Sequence, residues 1–410
     1  VDDVNNYAST MKWSKYTMDD FTFEYHKQHC LMVGQTGYRH VQLKSYNKSE
    51  KIVLRGEEID LELERKHVRD SRLLYADFEC SIDPETGVHT FMSYGIYDCE
   101  NHEYQCGYDL QEFIDFILDK AFSSSEKDQI YVYFHNAMGY DANFVLRHIL
   151  KQPEYAKWGI QVIMKSMNRL QKLVFHAKRD DNVRTIHIGD TFLFLTLSLD
   201  RIVSSIRKDD IEMNQENFSN FFEVFHKRYP GISDEMIDHI LRKNIFPYKF
   251  FSNASKLDVP KEEFLTIFEP KEENLQFFSE RVTLDDLANG YVDTRHVIEV
   301  FNCQDARDYH DLYLCCDVMQ LADVFNRSMD ILWESHHIHL TKYIGMPSAS
   351  WAAFLRHDPT MSIPLYEDTF YAEFFKGMIR GGITSAALRH AVADKDHSII
   401  YLDVNGLYPF

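Results

Sequence analysis

The chain has 410 residues, of which 45% are hydrophobic and 26% charged, so it is long enough for two or three globular domains with substantial cores. Its 64 acidic and 44 basic side chains give a formal net charge of −20, which argues against a protein that coats nucleic acid but not against a local basic groove. No apolar run is long enough to span a membrane and the seven cysteines form no C-x-x-C pair, so we expect a soluble, intracellular protein with reduced thiols and no membrane partner. Residues 1–70 are polar and mixed, and they predict an N-terminal extension without recognisable chemistry.

Alternating strand and helix patterns follow from residue 71 onward. LLYADFE, TFMSYGIYD and EYQCGYD predict a β-meander, and Asp109 with Gln111 opens an amphipathic helix. QIYVYFHN predicts the next strand, and YDANFVLRHIL predicts the helix after it. Residues 160–195 contain three more strand-like runs. Helices between strands favour an α/β layered fold with a mixed sheet.

The second half of the chain has a different pattern. Residues 207–300 are acid-rich and interrupted by prolines, which predicts an insertion or a peripheral subdomain. A long helix is predicted from about Asp305 to Trp333, because its apolar residues follow helical spacing. Residues 341–410 begin what we interpret as another domain, ending in the strand-like run SIIYLDV. Because Phe410 follows that run directly, we expect the chain to be a fragment cut within a domain.

Two carboxylates lie at the end of the first predicted strand, Asp77 and Glu79. Side chains on a strand alternate faces, so these two point the same way and repel each other unless a cation lies between them. Mg²⁺ is the expected ion, since it prefers oxygen ligands. The alternative is a solvated strand end, because D-x-E also occurs at Asp98/Glu100 and Asp210/Glu212 in this acidic chain.

Two further polar signatures follow in the chain. Asn136 ends a strand and Tyr140-Asp141 enters a helix, while Tyr313 and Asp317 lie one turn apart on the long helix. Asp141 is alternatively a helix N-terminal acid without further role, and Asp317 a solvated helix residue, although its neighbours are apolar. Together the carboxylates predict a site for two divalent ions that cleaves phosphodiesters, formed by Asp77, Glu79, Asp141 and Asp317.

The order of these motifs resembles a known enzyme family. D-x-E, then N-x-x-x-Y-D, then Y-x-x-x-D look like the Exo I, Exo II and Exo III motifs of the proofreading 3′–5′ exonuclease in family B DNA polymerases. Asp403-Val-Asn-Gly-Leu-Tyr408-Pro is similar to polymerase motif A, and Arg380-Gly381-Gly382 resembles the Y-x-G-G linker of protein-primed polymerases. FNCQDARDYHDLYLCCDVMQLADVF looks like the subgroup of linear plasmids, virophages and Polinton-type elements.

This resemblance implies a domain organisation and partners. Residues 71–340 would form a ribonuclease H-like exonuclease domain with a mixed sheet, with 207–300 as an insertion. Residues 341–410 would be the start of the polymerase palm. The partners would be a single-stranded DNA 3′ end and primer-template DNA, with dNTPs and a terminal protein primer for the full-length enzyme. Because the fragment lacks the later polymerase motifs, we expect it to act only as an exonuclease.

The resemblance also implies roles at the exonuclease site. Asp77, Glu79 and Asp317 would ligate the catalytic metal, with Asp77 bridging to a second ion. Asp141 would hold that second ion, and Tyr313 would position the attacking water. The cofactor would be two Mg²⁺ ions, with Mn²⁺ as the alternative.

DNA and nucleotide contacts are implied in the same way. Asn136 and Tyr140 would contact the frayed 3′ end, and Thr191 and Phe192 align with a Ser/Thr-Leu motif that holds single-stranded DNA. In the palm and its linker, the implied DNA, metal and nucleotide residues are Arg380, Gly381, Gly382, Asp403 and Tyr408.

Departures from the family pattern leave two other readings open. Ile379 stands where the linker motif has its first Tyr, Phe192 replaces Leu, and Gly406 replaces the usual Ser of motif A. One alternative is a stand-alone 3′–5′ exonuclease of the same chemistry. The other is a degraded, non-catalytic DNA-binding relative.

Overall fold

The computed structural model describes residues 41–44, 52–56, 71–83, 87–123, 128–137, 140–166, 169–242, 245–357, 362–365, 369–378 and 390–400. The chain divides into two compact units, and the described residues from Leu54 to Ile363 belong to the larger one. The main sheet, the longest helix and the candidate site all lie within this larger unit. The predicted domain boundaries at 70/71 and 340/341 stay predictions.

Seven strands form the main sheet. Two short strands, β1 (Val41–Lys44) and β2 (Ile52–Gly56), precede it in the chain. Its members are β3 (Ser71–Ile82), β4 (His89–Asp98), β5 (Glu103–Gly107), β6 (Gln129–Phe134), β7 (Gly159–Ser166), β8 (Arg169–Arg179) and β9 (Asn182–Asp190). Their spatial order is β5-β4-β3-β6-β9-β8-β7.

The directions of these strands identify the fold. β5, β4 and β3 are antiparallel neighbours, whereas β3, β6 and β9 run parallel. This mixed arrangement is that of the ribonuclease H-like fold, and the antiparallel pair β8 and β7 extends it at one edge. The predicted α/β class and the β-meander are therefore confirmed. The last strand is shorter than predicted, because it ends at Asp190 and Thr191–Leu193 form a 3-10 helix.

Most of the helices follow β9 in the chain. Those before residue 207 are α1 (Leu110–Phe122), α2 (Asp141–Lys151) and α3 (Leu199–Ile206). Residues 207–300, which were predicted to be an insertion and are called the insertion below, contain α4 (Ile211–Asn217), α5 (Ser219–Arg228), α6 (Asp234–Ile240), α7 (Lys261–Thr266) and α8 (Leu284–Val300). The remaining elements are α9 (Ala306–His336), α10 (Met346–His357), β10 (Ser362–Leu365) and α11 (Thr369–Met378). Helices α1 and α2 pack on one face of the main sheet and the long helix α9 packs on the other. Among the described residues, no helix is both long and apolar enough to cross a membrane.

The two faces of β3 pack against different partners. Leu74, Ala76 and Phe78 belong to the core that includes the buried residues of α1 and α2. Tyr75 points to the opposite face, where its ring contacts Phe325 of α9 edge-on at 6.3 Å. Side chains alternate along a strand, so Asp77 and Glu79 share the α9 face with Tyr75.

Helix α9 begins and ends through local capping. Asp305 caps its first turn by accepting a hydrogen bond from the backbone N–H of Asp308, and His337 ends it in a left-handed conformation with φ of 51°. The prediction of a helix from about Asp305 to Trp333 is confirmed, with three additional residues at its end. Asp323 also ties α9 to the insertion, since its carboxylate accepts hydrogen bonds from the backbone N–H groups of Asn220 and Phe221 at the start of α5.

The aromatic residues of the insertion build a core with α9. Phe246, Phe251 and Phe264 are buried in the same cluster as the apolar side of α9. Phe246 stacks on Tyr313 with 4.1 Å between ring centroids. The insertion therefore packs directly against the helix that carries Tyr313 and Asp317.

Gly95 allows α9 to approach the sheet closely. It pairs with Asp77 across β3 and β4, and a Cβ at this position would lie 3.0 Å from side-chain atoms of Leu314 and Val318 and 2.8 Å from the Tyr104 hydroxyl. We expect Gly95→Ala to lower the free energy of unfolding by about 1–3 kcal/mol, because the added methyl overpacks the contact. Urea denaturation would measure the change.

Gly377→Ala is the matched control, since nothing lies within 4 Å of a Cβ at that helical position. It should leave the urea midpoint unchanged or raise it slightly. An unchanged midpoint for Gly95→Ala would show that α9 does not need this close approach.

Candidate active site

Three carboxylates meet where β3 faces α9. One oxygen atom from each of Asp77, Glu79 and Asp317 lies within 4.8 Å of the others. Glu79 is buried, and the other two are partly exposed. The strand period puts Asp77 and Glu79 on one side, and the contact at Gly95 brings the α9 residue to them. The structure thus brings together three of the four carboxylates that were predicted to hold metal ions, and their role stays a prediction.

Asp141 lies beside this group at the first turn of α2. It is 4% exposed, and its Oδ1 atom is buried without a hydrogen-bond partner. Burial raises the pKa of Asp141 to about 7, with a smaller contribution from the neighbouring charge of Asp190. A buried carboxylate oxygen without a donor is the kind of group that a cation would satisfy.

The carboxylates raise one another's proton affinity. Burial is the largest cause of the raised pKa of Asp77, followed by the charges of Asp141, Glu79 and Asp317. A hard divalent cation with oxygen ligands would relieve this repulsion. Asp77, Glu79 and Asp317 therefore fit a site for a divalent cation, whereas Asp141, which was predicted to complete the group, is not among the carboxylates whose oxygen atoms lie within 4.8 Å of one another.

Two tyrosine hydroxyls meet at the edge of the carboxylate group. The hydroxyl of Tyr313 lies 2.6 Å from that of Tyr248, which comes from the insertion. Burial and the charges of Asp317 and Glu79 are among the causes that raise the pKa of Tyr313 above its ordinary value. The same two charges, after burial, raise the pKa of Tyr248. Both phenols therefore stay protonated at neutral pH and can donate one hydrogen bond each.

A cavity of about 420 Å³ opens beside the carboxylates. Asp77, Asp317 and Tyr248 form one part of its wall. The rest is lined by His135, Asn136, Phe192, Ser198, Leu199, Asp200, Gln320 and Leu321. Its wall carries carboxylate, amide and imidazole groups beside the flat ring of Phe192, so it can accept a group with a polar end and a flat apolar face.

The residues predicted to hold DNA occupy different positions around this cavity. Asn136 and Phe192 line it, and Asn136 has a left-handed φ of 68°. Thr191 is fully buried, and its hydroxyl donates to the Phe134 carbonyl oxygen, so it supports the wall from behind. The Tyr140 hydroxyl is hydrogen-bonded to His89 Nδ1 on β4 and lies away from the cavity lining.

Tyr248 and Asp190 are two residues of this region that the sequence did not single out. Tyr248 belongs to the aromatic run FPYKFF, whose composition indicates core packing, and no local pattern marks its hydroxyl. Asp190 follows a strand-like run, but acidic residues at strand ends are common in this chain.

The predicted palm and linker residues lie outside the described residues. They are Arg380, Gly381, Gly382, Asp403 and Tyr408.

Solved structures of Phi29 DNA polymerase are similar to part of this chain. A post-translocation complex with primer-template DNA has 18% identity, a TM-score of 0.27, and coverage of 35% of this chain and 25% of the polymerase chain. A complex with single-stranded DNA has 15% identity, a TM-score of 0.26, and coverage of 43% and 40%. An orthorhombic crystal form has 14% identity, a TM-score of 0.27, and coverage of 48% and 45%. The matches thus span less than half of the length of that polymerase.

The sequence comparison gives a direct family match. No curated protein matches the chain significantly. The sequence model of the family described as DNA polymerase type B, organellar and viral, matches residues 123–410, which is well over half of the chain. The match includes the segments that carry Asn136, Asp141, Tyr313 and Asp317. This chain belongs to the organellar and viral family of type B DNA polymerases.

Proposed function

We propose that residues 71–340 form the proofreading 3′–5′ exonuclease of a family B DNA polymerase and act on the 3′ end of single-stranded DNA. The carboxylates of Asp77, Glu79 and Asp317 support this proposal most strongly, because their oxygen atoms lie within 4.8 Å of one another at the wall of a cavity. Carboxylates that repel one another and are held together on rigid elements suit a metal-dependent phosphodiesterase.

Different residues of the chain would bind the metal ions and the DNA strand. Asp77, Glu79 and Asp317 would hold one Mg²⁺, and Asp141 would hold a second through its buried Oδ1. When bound, such ions lower the pKa of a water molecule and stabilise charge on the oxygens of the phosphodiester.

The tyrosine pair would position a water molecule, and the cavity wall would position the terminal nucleotide of the DNA. A phenol has a single proton, so one tyrosine of the Tyr248–Tyr313 pair must donate to the other. If Tyr248 donates, the Tyr313 proton is available to hold a water in place beside Asp317. Asn136 and Phe192 would hold the terminal nucleotide, with the flat ring of Phe192 against a base and the Asn136 amide near the sugar-phosphate.

The rest of the chain supports a wider role in replication. The family match extends to residue 410 and includes the motif A-like segment from Asp403 to Pro409. By resemblance, the complete protein would polymerise dNTPs on primer-template DNA and begin from a terminal protein, in the subgroup of linear plasmids, virophages and Polinton-type elements. The Arg380-Gly381-Gly382 segment supports the protein-primed class.

Digestion of a 5′-labelled single strand tests the exonuclease proposal. We expect Mg²⁺ or Mn²⁺ to produce a ladder that shortens stepwise from the 3′ end, and EDTA to stop it, because carboxylates alone cannot activate water in this way. A strand with a blocked 3′ terminus is the control and should stay intact. Binding without any digestion would instead favour the non-catalytic DNA-binding relative.

A further inference from the structure

We propose that Asp190 is a positioning residue that fixes the two cavity-lining segments on which the 3′ end of DNA is held. This inference rests on the proposed exonuclease function and adds a residue to it. Asp190 itself lies behind the cavity, so it would act through Asn136 and Phe192.

One carboxylate oxygen joins the two segments. Asp190 is 2% exposed and ends β9 next to the end of β6. Its Oδ1 accepts a hydrogen bond from the backbone N–H of Asn136 and another from the backbone N–H of Phe192, each at 2.8 Å. The segment after β6 and the segment after β9 are therefore held by the same atom.

The bond to Asn136 supports an uncommon backbone conformation. Asn136 has a φ of 68°, in the left-handed region that non-glycine residues adopt rarely and Asn more readily than most. The buried acceptor on Asp190 satisfies the N–H group of this residue and so helps to hold it there. The direction of the Asn136 side chain into the cavity depends on that conformation.

A second set of hydrogen bonds reinforces the same two segments. The Thr191 hydroxyl donates to the Phe134 carbonyl oxygen at 3.1 Å and lies 2.9 Å from His135 Nδ1. The Nε2 atom of His135 is 3.0 Å from the carbonyl oxygen of Leu197. These bonds should keep the region folded when Asp190 is changed, so that its removal loosens the wall without unfolding the domain.

Three substitutions at Asp190 distinguish the effect of its negative charge from the effects of its two hydrogen bonds. Asn keeps Oδ1 as an acceptor for both N–H groups and removes only the charge. Ser can still cap the turn that starts at Thr191, as Ser does at helix N-termini, but it is too short to reach Asn136 as well. Ala removes both bonds.

The experiment measures DNA binding and digestion for these variants. Binding of a fluorescent oligothymidylate is followed by anisotropy in Ca²⁺, and KM and kcat for digestion are measured in Mg²⁺. We expect Asp190→Ala and Asp190→Ser to raise Kd and KM about ten-fold or more, since the backbone N–H of Asn136 loses its acceptor in both variants, with a smaller change in kcat because the carboxylates remain. Asp190→Asn should restore both values to within about three-fold of the parent. Asp109→Ala is the matched control, because Asp109 caps α1 away from the cavity and its loss should leave Kd unchanged.

Each outcome decides the proposal. Parent-like Kd and KM in both Asp190→Ala and Asp190→Ser would overturn it, and so would an Asp190→Asn variant as impaired as Asp190→Ala, since the charge would then matter rather than the acceptor. If Asp190→Ala loses its cooperative melting transition, the Ser and Asn variants decide instead. A parent that binds DNA but does not digest it would refute the exonuclease, while the Kd series would still test Asp190. A parent that does neither would refute both.

Discussion

Replacing Asp77 with Ala should reduce Mg²⁺-dependent 3′–5′ digestion by at least about a thousand-fold, because charge stabilisation at a preorganised site is lost. Asp77 is one of three carboxylates whose oxygen atoms lie within 4.8 Å of one another, and the charges of Asp141, Glu79 and Asp317 raise its pKa. Digestion of the 5′-labelled strand, followed over hours, would measure the residual rate.

The same substitution should stabilise the protein in the absence of metal. Burial and the neighbouring carboxylates raise the pKa of Asp77 in the folded state. Stability that comes from a raised pKa is fully present below the unfolded pKa of about 3.9 and is lost as the pH rises through the folded pKa. In EDTA we therefore expect the variant to melt at a higher temperature than the parent at pH 7, and the difference to shrink toward pH 4. Mg²⁺ should raise the melting temperature of the parent more than that of the variant.

Asp210→Ala provides a matched control for Asp77→Ala. Asp210 is part of another D-x-E sequence, but it is exposed and caps α4 instead of facing other acids. Its loss should cost about 1 kcal/mol of stability and leave digestion unchanged. An Asp77→Ala protein that digests DNA at the parent's rate, or that loses its folded far-ultraviolet spectrum, would contradict the assigned role.

Tyr313→Phe should slow digestion by about ten- to a thousand-fold, equivalent to about 1.4–4 kcal/mol, the cost of one positioning hydrogen bond at such a site. The ring stays in its stacked contact with Phe246, and only the hydroxyl is removed. Tyr313 cannot be the main base, because its raised pKa keeps it protonated at neutral pH. DNA binding in Ca²⁺ should be almost unchanged, since the carboxylates and the cavity wall remain.

Tyr248→Phe is the companion variant for this prediction. It removes the partner hydroxyl and leaves that of Tyr313 in place. We expect a smaller loss of rate, about two- to ten-fold, if Tyr248 only orients Tyr313. Parent-like digestion by Tyr313→Phe would show that its hydroxyl takes no part, and a larger loss in Tyr248→Phe would transfer the positioning role to that residue.

Periodicity along single elements predicted much of the candidate site. The alternation of a strand places Asp77 and Glu79 on one face, and the spacing of four places Tyr313 one helical turn before Asp317. Both relations are local, so no knowledge of the packing was needed. The mixed sheet followed in the same way, from alternating strand and helix patterns.

Contacts between side chains on different elements could be derived only from the tertiary structure. Which acids come within reach of one another depends on how closely α9 approaches β3, and that distance is set by the missing side chain at Gly95. The orphaned oxygen of Asp141 depends on burial by several elements.

The sequence by itself determined which side chains are candidates for the chemistry and which face of its own strand or helix each one occupies. The tertiary structure alone decided their partners. Tyr248 reaches Tyr313 across 65 residues of chain because the insertion folds back onto α9. Asp190 reaches Asn136 across 54 residues of chain because β6 and β9 are parallel neighbours. Backbone periodicity fixes direction within one element, whereas contact between elements depends on packing that no local pattern encodes.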